Sequence, residues 1–565
     1  MSYSKAHKWN FVVLFILTIL ISGIALVNPY LVKILIDDVL LSQNFDLFFL
    51  ILLVFLGMFV VGSLINIALN YVSTKLTANL VLDVKKDLFE HLENLHLGFY
   101  HSKKVGDILS RLNDDVYGVE AFLKTVINEV LLDLLMGGFI LAMCLKLNAK
   151  VTGVALLFAP FYIIVQKYFG KQVRKKRKKI RKKSADIMSF LQEDISEIKA
   201  IQSFAREKLE LDKFKKKTKK LIGLDIEMSL LRGYSSMWVS FISFVPLFII
   251  LLYGGFNVMI GAMTIGTLMA IYTYIQKLFG PIGDLGNINI ALQSSLVSVD
   301  RVFEFMDISP KIKDSPNAKT INSLNGKIDF KKVSFSYDGK KIIRNISFNI
   351  KPGEKIGIVG ESGSGKSTIA SLIPRFSDPD FGAVKLDGNN VKKIKINSLR
   401  NLIGAVGEDS GLFATTIKEN IRFGKKDATQ KEVERAAKLA DAHDFIKKLP
   451  NGYDTIVGEK GATLSTGQKQ RISLARTIVR NPDILILDEA TSALDTKSTK
   501  RILKSLEDFA HDTTTIIISH NIPLLKKADR IFVLKDGKIA EKGTYSTLIK
   551  KKGIFYKMQK AGEFE

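Results

Sequence analysis

The chain has 565 residues, of which 47% are hydrophobic and 24% are charged, and its formal net charge is +26. This length exceeds what one hydrophobic core can organise, so we expect several domains' worth of structure. The single cysteine, Cys144, excludes an intrachain disulfide and a cysteine metal cluster.

Long apolar runs recur through the first half of the chain. Each run approaches the roughly 20 residues that span a bilayer. Charged residues collect in alternate connections, a pattern that is unusual for buried helices of a soluble protein. We therefore predict six transmembrane helices, at Phe11–Val27, Leu47–Ile67, Val126–Leu147, Val151–Phe169, Val239–Ile260 and Ile265–Leu285.

The connections between these runs differ in charge. The short connections at 41–45, 146–150 and 261–264 hold only Lys146 and Lys150 as charged residues, whereas 75–111 and 167–232 are rich in Lys and Arg. Because positive residues collect on the cytosolic side, we expect a multi-pass protein of the cell membrane with both termini in the cytosol.

Two helical hairpins are predicted to project into the cytosol. From Ala78 to Leu95, apolar residues keep helical spacing beside a polar face, and residues 97–101 interrupt that helix. A similar outline runs from Phe169 to Gly233 and turns near 203–207.

The basic excess is densest at Lys171–Lys183, directly after the fourth predicted span. A cytosolic helix at this place faces the anionic leaflet of the membrane. The net charge alone could also indicate nucleic acid. We predict contact with membrane lipid and no nucleic-acid partner.

Asn128, Glu129 and Asp133 lie in the inner part of the third predicted span. Glu129 and Asp133 are four residues apart, so they share one helical face. Charges at such a depth are costly and usually face protein or a watery cavity. One hypothesis is that this pair binds a cation, and structural pairing or hydration is the favoured alternative.

Residues 307–326 are rich in Pro, Ser, Asn and Lys and lack periodicity, which predicts a linker. We expect a transmembrane domain at 1–306 and a second domain at 327–565. In the second domain, buried strands alternate with helices, which is typical of an α/β fold. The predicted strands include Ile328–Tyr337, Ile342–Ile350, Lys355–Val359, Ile484–Leu487 and Thr514–Ser519.

The stretch from 360 to 368 reads GESGSGKST and matches the phosphate-binding loop G-x-x-x-x-G-K-[ST]. A predicted strand precedes it and a predicted helix follows it, as that loop requires. Its backbone N–H groups wrap phosphate, Lys366 adds a cation, and the Ser367 hydroxyl can bind Mg²⁺. The predicted phosphate site comprises Gly360, Glu361, Ser362, Gly363, Ser364, Gly365, Lys366, Ser367 and Thr368.

Two carboxylates end the strand at 484–487, at the position from which α/β sheets present groups to a ligand. Asp488 is predicted to hold Mg²⁺ through its water shell, and Glu489 is predicted to accept a proton from the attacking water. His520 follows another predicted strand and could contact the γ-phosphate.

A second anion site is predicted at the sequence LSTGQ, residues 464–468. A helix follows this segment, so Ser465 and the free N–H groups after it can bind phosphate.

These motifs together resemble an ATP-binding cassette exporter half-transporter. The resemblance rests on the phosphate-binding loop, on LSTGQ beside the family's LSGGQ, on the carboxylates at 488–489, on the D-loop at 492–495 and on the Ser519-His520 switch. Phe99 and 105–107 resemble the first coupling hairpin and 200–214 the second. The resemblance implies a six-span helical domain joined to an α/β nucleotide-binding domain.

The resemblance also implies how ATP is bound. Tyr337 would stack on adenine, Asp495 of the D-loop would join the nucleotide site, and two chains would pair head to tail. Each ATP would lie between the phosphate-binding loop of one chain and Ser465, Thr466, Gly467 and Gln468 of the other. One chain carries one set of each motif, so a second half-transporter chain is needed.

Two positions depart from the family pattern. Glu408 stands where the family's glutamine contacts Mg²⁺ and the attacking water, and Thr466 replaces a glycine of the signature. A carboxylate at 408 can bind the metal more firmly, but it also adds negative charge near the γ-phosphate.

We expect ATP-driven export of a small molecule, drug-like amphiphile, lipid or peptide by alternating access, with a homodimer favoured. An alternative is that the chain is one half of a heterodimer, because Glu489 follows the family pattern while Glu408 and Thr466 depart from it. An ATP-gated channel or regulator, or an importer, shares the same nucleotide motifs.

Overall fold

The computed structural model describes residues 7–560 except 338, 408–410, 459–460, 462, 491–497, 500, 503, 506–512 and 520–524. The side chains of 127–129, 284–287, 289–291 and 294 are also outside this description. The chain forms two compact units. The first comprises Met1–Glu93 and Lys104–Ile308, and the second comprises Asn94–Lys103 and Ser309–Glu565.

Long helices make up the first unit. Three of the joints between them are π-helical turns, at Leu35–Leu40, Arg111–Asp115 and Thr125–Val130. The helices up to residue 306, with α3 belonging to the second unit, are α1 (Lys8–Ile34), α2 (Phe45–Glu93), α3 (Leu97–Ser102), α4 (Val105–Ser110), α5 (Val116–Lys124), α6 (Leu131–Leu156), α7 (Ala159–Ser196), α8 (Ile198–Ser203), α9 (Glu207–Met259) and α10 (Ile265–Met306).

Four helical segments among the described residues are long and apolar enough to cross a membrane. They are Lys8–Leu40, Phe45–Glu93, Leu131–Leu156 and Glu207–Met259. The predicted spans at Val151–Phe169 and Ile265–Leu285 are not among these four segments. The number of six spans therefore stays a prediction. The interval 151–169 is itself divided, because α6 ends at Leu156 and α7 begins at Ala159.

Helix α6 is broken inside its length at Asn148. This residue has an extended backbone, with φ −162° and ψ 102°, and its side-chain oxygen accepts a hydrogen bond from the Val151 N–H at 3.1 Å. An Asn in this role caps the helix that follows it. The break falls in the predicted short connection at 146–150.

The start of α10 is bonded to the end of the first helical segment. Thr264 caps α10 by accepting a hydrogen bond from the Thr267 N–H, and its hydroxyl donates to Asp37 at 2.5 Å. The other Asp37 oxygen accepts from the Gly266 N–H at 2.8 Å. One carboxylate therefore ties two distant parts of the sequence together.

Two sheets form the frame of the second unit, as far as the chain is described. A six-stranded sheet has the order β10-β9-β3-β8-β7-β6, in which β10 alone is antiparallel to its neighbour. An antiparallel sheet has the order β2-β1-β4-β5. The strands are β1 (Ile328–Tyr337), β2 (Lys340–Ile350), β3 (Lys355–Gly360), β4 (Phe381–Leu386), β5 (Asn389–Asn390), β6 (Ile403–Val406), β7 (Ile484–Asp488), β8 (Thr514–Ile518), β9 (Arg530–Lys535) and β10 (Lys538–Gly543).

Helices pack on these sheets, which confirms the α/β fold predicted for this half. The five predicted strands are present with ends within two residues of the prediction, whereas β4, β5, β6, β9 and β10 were not predicted. The helices are α11 (Lys366–Leu372), α12 (Ile396–Asn401), α13 (Ile417–Arg422), α14 (Gln430–Leu439), α15 (His443–Lys447), α16 (Thr466–Ile478), α17 (Tyr545–Lys551) and α18 (Ile554–Lys560).

The predicted linker is hydrogen bonded to the second unit over much of its length. The Lys313 carbonyl accepts from Arg375 at 3.0 Å, and the Asp314 carboxylate accepts from the Ile396 N–H at 2.8 Å. The Leu324 N–H donates to Asp483 at 2.7 Å. These bonds explain why a segment without periodicity is nevertheless held against the fold.

Candidate functional site

The predicted phosphate-binding loop follows β3, which lies between β8 and β9 in the parallel part of the sheet. Gly363 and Gly365 have φ values of 78° and 105°, a left-handed conformation that strains other residues. A Cβ on Gly360 would lie 2.5 Å from the Leu534 carbonyl oxygen. The glycines therefore allow the backbone to turn tightly between the strand and α11.

Two polar side chains inside this loop fit a phosphate ligand. Lys366 is 7% exposed, and its Nζ donates to the carbonyls of Gly360 at 2.8 Å and Glu361 at 3.0 Å. The Ser364 hydroxyl is buried without a hydrogen-bond partner among the described residues. An unsatisfied buried hydroxyl is costly, and a phosphate oxygen would satisfy it.

The donors that could hold Mg²⁺ come from two parallel strands of the same sheet. Ser367 follows the β3 loop and is exposed, while Asp488 is the last residue of β7. The carboxyl ends of parallel strands meet at one edge of a sheet. A hydroxyl and a carboxylate supply the oxygen ligands that Mg²⁺ prefers, so the residues present fit this metal.

Glu489 has a backbone conformation that is uncommon for a residue other than glycine. Its φ is 52°, and its N–H donates to the Ile518 carbonyl of β8 at 2.9 Å. Such strained residues cluster at functional sites because the surrounding structure holds them in place. The turn directs the chain away from β7 immediately after Asp488.

Three predicted site residues, Glu408, Asp495 and His520, lie outside the described residues. Two of them follow elements of the same sheet. Strand β6 ends at Val406, shortly before Glu408, and β8 leads to the buried Ser519, immediately before His520. The Glu129 side chain of the first unit is outside the description as well.

The predicted second anion site begins α16, as the sequence indicates. The Ser465 hydroxyl accepts from the Gln468 N–H at 3.3 Å, and the Gln468 side chain accepts from the Ser465 N–H at 2.9 Å. This reciprocal capping box leaves the Ser465 hydroxyl hydrogen available to an anion. The helix N-terminus between them, at Thr466 and Gly467, adds its partial positive charge.

The two predicted phosphate sites stand on separate hydrophobic clusters. Beneath the phosphate-binding loop are Ile356 and Ile369, whereas Leu464 and Ile472 of the LSTGQ segment belong to the other cluster. Each predicted phosphate site is therefore supported by its own hydrophobic cluster. A head-to-tail pair of chains is compatible with this division.

Tyr337 ends β1 and is 43% exposed. Its ring meets Phe335 edge-on, with centroids 4.7 Å apart and an interplanar angle of 86°. An edge-on contact leaves the face of the tyrosine ring for another aromatic group. This geometry suits the predicted stacking on adenine.

The first predicted coupling segment, α3, belongs to the second unit. Phe99 is buried there and meets Tyr100 edge-on. Burial, together with the nearby Lys311 charge, lowers the pKa of His96 below its ordinary value. His96 is therefore favoured in its neutral form.

Sequence reasoning missed a polar hub between α16 and the segment that follows residues 408–410. Arg476 donates hydrogen bonds to Asn420 and to the Gly411 carbonyl, and it lies over the rings of Phe413 and Phe423. Burial lowers the pKa of the Arg476 guanidinium. No local pattern marks this arginine, because its partners are distant in the sequence.

Comparison with known proteins identifies matches in both halves. The sequence profile of the ABC transporter transmembrane region matches residues 11–282, and the profile of the ABC transporter matches residues 343–492. A solved structure described as a bacterial Atm1-family ABC exporter with ATP bound has a TM-score of 0.83. It is 27% identical in sequence, and the similarity covers 99% of each chain.

Curated relatives are similar along nearly the whole chain. The ATP-dependent lipid A-core flippase of Desulfotalea psychrophila is 35% identical, over 96% of this chain and 95% of that protein. A protein of Bacillus subtilis, provisionally named a multidrug export ATP-binding/permease protein, is also 35% identical, over 97% of this chain and 96% of its own length.

Proposed function

The chain belongs to the ATP-binding cassette transporter family, and from this premise we propose that it is one half of a dimeric exporter driven by ATP hydrolysis. The proposal rests on three features that occur together in one chain. They are apolar helices long enough to cross a membrane, a loop whose residues fit a phosphate ligand, and a second helix whose N-terminus is capped at the LSTGQ segment. The exporter-type fold and the ATP-hydrolysing class follow from the family. The residue roles, the partner and the cargo are proposals.

We assign the nucleotide contacts to the described loop and its neighbours. The backbone of 360–368 and Lys366 would hold the phosphates, Ser364 would donate its unsatisfied hydroxyl, and Tyr337 would stack on adenine. Ser367 and Asp488 would hold Mg²⁺, which neutralises charge on the phosphates when bound. His520 and Glu408 are assigned to the γ-phosphate side, and Asp495 to the D-loop contact between chains.

Glu489 is the proposed general base. Its strained turn follows the metal-binding Asp488 directly, so its carboxylate can lie beside the water that attacks the γ-phosphate. Proton transfer to Glu489 would then accompany attack. The remaining acceleration comes from positioning and from the positive charge around the phosphates.

The second chain supplies the missing half of each ATP site. Ser465, Thr466, Gly467 and Gln468 of the partner would close over the nucleotide held by the loop of this chain, since one chain keeps the two sites on separate clusters. A homodimer is the favoured arrangement. A heterodimer is the second candidate, because Glu408 and Thr466 depart from the family pattern in a chain that keeps Glu489.

The proposed orientation places both termini and the nucleotide-binding domain, 327–565, in the cytosol, with 1–306 in the membrane and 307–326 linking them. Basic residues on the long connections support it. The named relatives include a lipid flippase and a multidrug exporter. We therefore propose an amphiphilic cargo, a lipid or a drug-like molecule, moved by alternating access.

Reconstitution in proteoliposomes tests this function. Chains whose nucleotide domains face outward should accumulate a fluorescent phospholipid or a fluorescent drug-like amphiphile inside the vesicle, against a gradient, only with ATP and Mg²⁺. Release of preloaded compound instead would indicate an importer. Flux that merely equalises concentrations would indicate an ATP-gated channel, and either result would overturn the exporter proposal.

A further inference from the structure

Lys277 lies within the last predicted span, on α10, and is half-buried. At a rise of 1.5 Å per residue, it is about 18 Å along the helix from Ile265 and about 12 Å from Leu285. Lysines near the end of a span can extend to the headgroups, but this one is well inside it. An ionisable residue at such a depth is expensive and usually functional.

The Lys277 ammonium contacts a carbonyl that a proline leaves without its usual donor. Pro29 lies inside α1 and has no N–H to offer the Ala25 carbonyl one turn earlier. Lys277 Nζ donates to this carbonyl at 3.3 Å. One turn away on α10, the Tyr274 hydroxyl donates to the neighbouring Leu26 carbonyl.

Satisfying a carbonyl does not require a charge. Tyr274 performs the same task with a neutral hydroxyl, and an amide could do so at position 277. In the part of the chain that the structure describes, Lys277 makes no ion pair with a carboxylate, and its hydrogen bond to Ala25 is long. The ammonium therefore keeps donors for an anion, since a single lysine carries three.

The surroundings of Lys277 on α10 are polar for a membrane helix. Thr273 and Gly280 lie on the same helical face, four residues before and three residues after it. Gln276, the preceding residue, is exposed in the single chain. The Thr273 hydroxyl donates to the Met269 carbonyl at 2.8 Å, within its own helix. The exposed Gln276 side chain belongs beside a watery path or another protein surface, because lipid tails offer its amide no hydrogen-bond partner.

We propose that Lys277 binds the anionic group of the transported molecule, so that the cargo is an amphiphile carrying a phosphate or a carboxylate. This inference rests on the proposed export function and adds the charge of its substrate. The opposing expectation is a cationic cargo held by Glu129 and Asp133. The Lys277 proposal and the Glu129/Asp133 hypothesis therefore predict opposite preferences for the charge of the cargo.

The test uses the full-length dimer in phosphatidylcholine nanodiscs and two probes with the same alkyl chain, dodecyl phosphate and dodecyltrimethylammonium. The measurement is the concentration of each that gives half-maximal stimulation of ATP hydrolysis. Lys277→Gln retains a donor for the Ala25 carbonyl and loses the charge. This variant should raise the half-maximal concentration of dodecyl phosphate by about ten- to hundredfold, as expected for the loss of one charged hydrogen bond. The half-maximal concentration of dodecyltrimethylammonium should change by less than about threefold.

Two further variants separate charge from folding. Lys277→Arg keeps the charge and should stay within about threefold of the wild type for dodecyl phosphate. Lys150→Gln removes the same charge from the exposed connection at 146–150 and should leave both probes unchanged. Melting temperatures of all variants show whether the fold is kept.

Several outcomes would overturn the inference. They are a wild type that does not respond to dodecyl phosphate, an equal loss for both probes in Lys277→Gln, or a Lys277→Arg variant that behaves like the glutamine variant. Failure of the export proposal is measured separately in the proteoliposome experiment, as release of preloaded compound or as mere equalisation of concentrations by the wild type. If only the present inference fails, ATP-driven accumulation inside the vesicle persists while Lys277→Gln leaves the charge preference unchanged.

Discussion

Arg476 donates from Nη2 to the side-chain oxygen of Asn420 at 2.6 Å and from Nε to the Asn420 backbone carbonyl at 2.9 Å. Asn420 is fully buried, and its amide donates in turn to the Phe413 carbonyl at 2.9 Å. The segment after residues 408–410 is thereby fastened to α16, the helix that begins at the signature. In the proposed head-to-tail dimer, residue 408 and the signature of one chain belong to different ATP sites, so this contact should couple movement at one site to movement at the other.

Replacing Arg476 with methionine should destabilise the nucleotide-binding domain by about 2–3 kcal/mol. The reason is that the Asn420 side-chain oxygen and the carbonyls of Asn420 and Gly411 each lose a hydrogen bond from a charged donor, and Asn420 is buried. For a domain of this size, the melting temperature should fall by roughly 4–12 °C. Differential scanning fluorimetry of the purified protein measures the change. Arg435→Met, at an exposed position on α14, is the matched control, and an equal shift in both variants would contradict the role of the hub.

Glu489→Gln should lower Mg²⁺-dependent ATP turnover by roughly 10²–10⁴-fold while ATP still binds, because the amide cannot accept the proton from water. Phosphate release gives the rate, and binding of a fluorescent ATP analogue gives the affinity. Turnover close to that of the wild type would remove Glu489 from the role of general base.

The signature should act on ATP held by the other chain. Chains carrying only Lys366→Ala should be mixed with chains carrying only Ser465→Ala, and the mixed dimers isolated by two affinity tags. We expect hydrolysis to return in the mixed dimers, since one of their two sites is then intact, and to be absent from both homodimers. Inactive mixed dimers of proven composition would argue against a head-to-tail arrangement.

Glu408→Gln should raise saturated turnover by a few-fold to about tenfold, which corresponds to about 1.4 kcal/mol of barrier. The reason is that a carboxylate near the γ-phosphate opposes the negative charge already there, and the metal offsets only part of that repulsion. The ATPase rate is titrated against Mg²⁺. An unchanged plateau with a weaker Mg²⁺ midpoint would show instead that Glu408 binds the metal directly.

Local sequence was enough to predict the parts of the fold that depend on near neighbours. Strand β1 has the predicted bounds, and Ser465 caps α16 as its spacing with Gln468 indicates. The contacts of Arg476 and Lys277 could not be predicted. Their partners, Asn420 and Ala25, are 56 and 252 residues away, and periodicity carries no information about such pairs.

The glycine spacing of the phosphate-binding loop predicted its shape, because the need for left-handed backbone at Gly363 and Gly365 is a local requirement. The left-handed turn at Glu489 had no such signal. A glutamate there is disfavoured by its own backbone preference, and the fold imposes the turn through the Ile518 carbonyl of a neighbouring strand. The inner strand β4 and the edge strand β10 were missed because their alternation is short and interrupted by charge.

The hydrogen bonds along the predicted linker leave very little slack in the chain. The first unit ends at Ile308, and the Lys313 carbonyl is already bonded to Arg375. The free tether from 308 to 313 can reach at most about 18 Å when fully extended. At this crossing the nucleotide-binding domain therefore has only a short length of free chain. Residues inserted at 309–312 should weaken the coupling between ATP hydrolysis and transport.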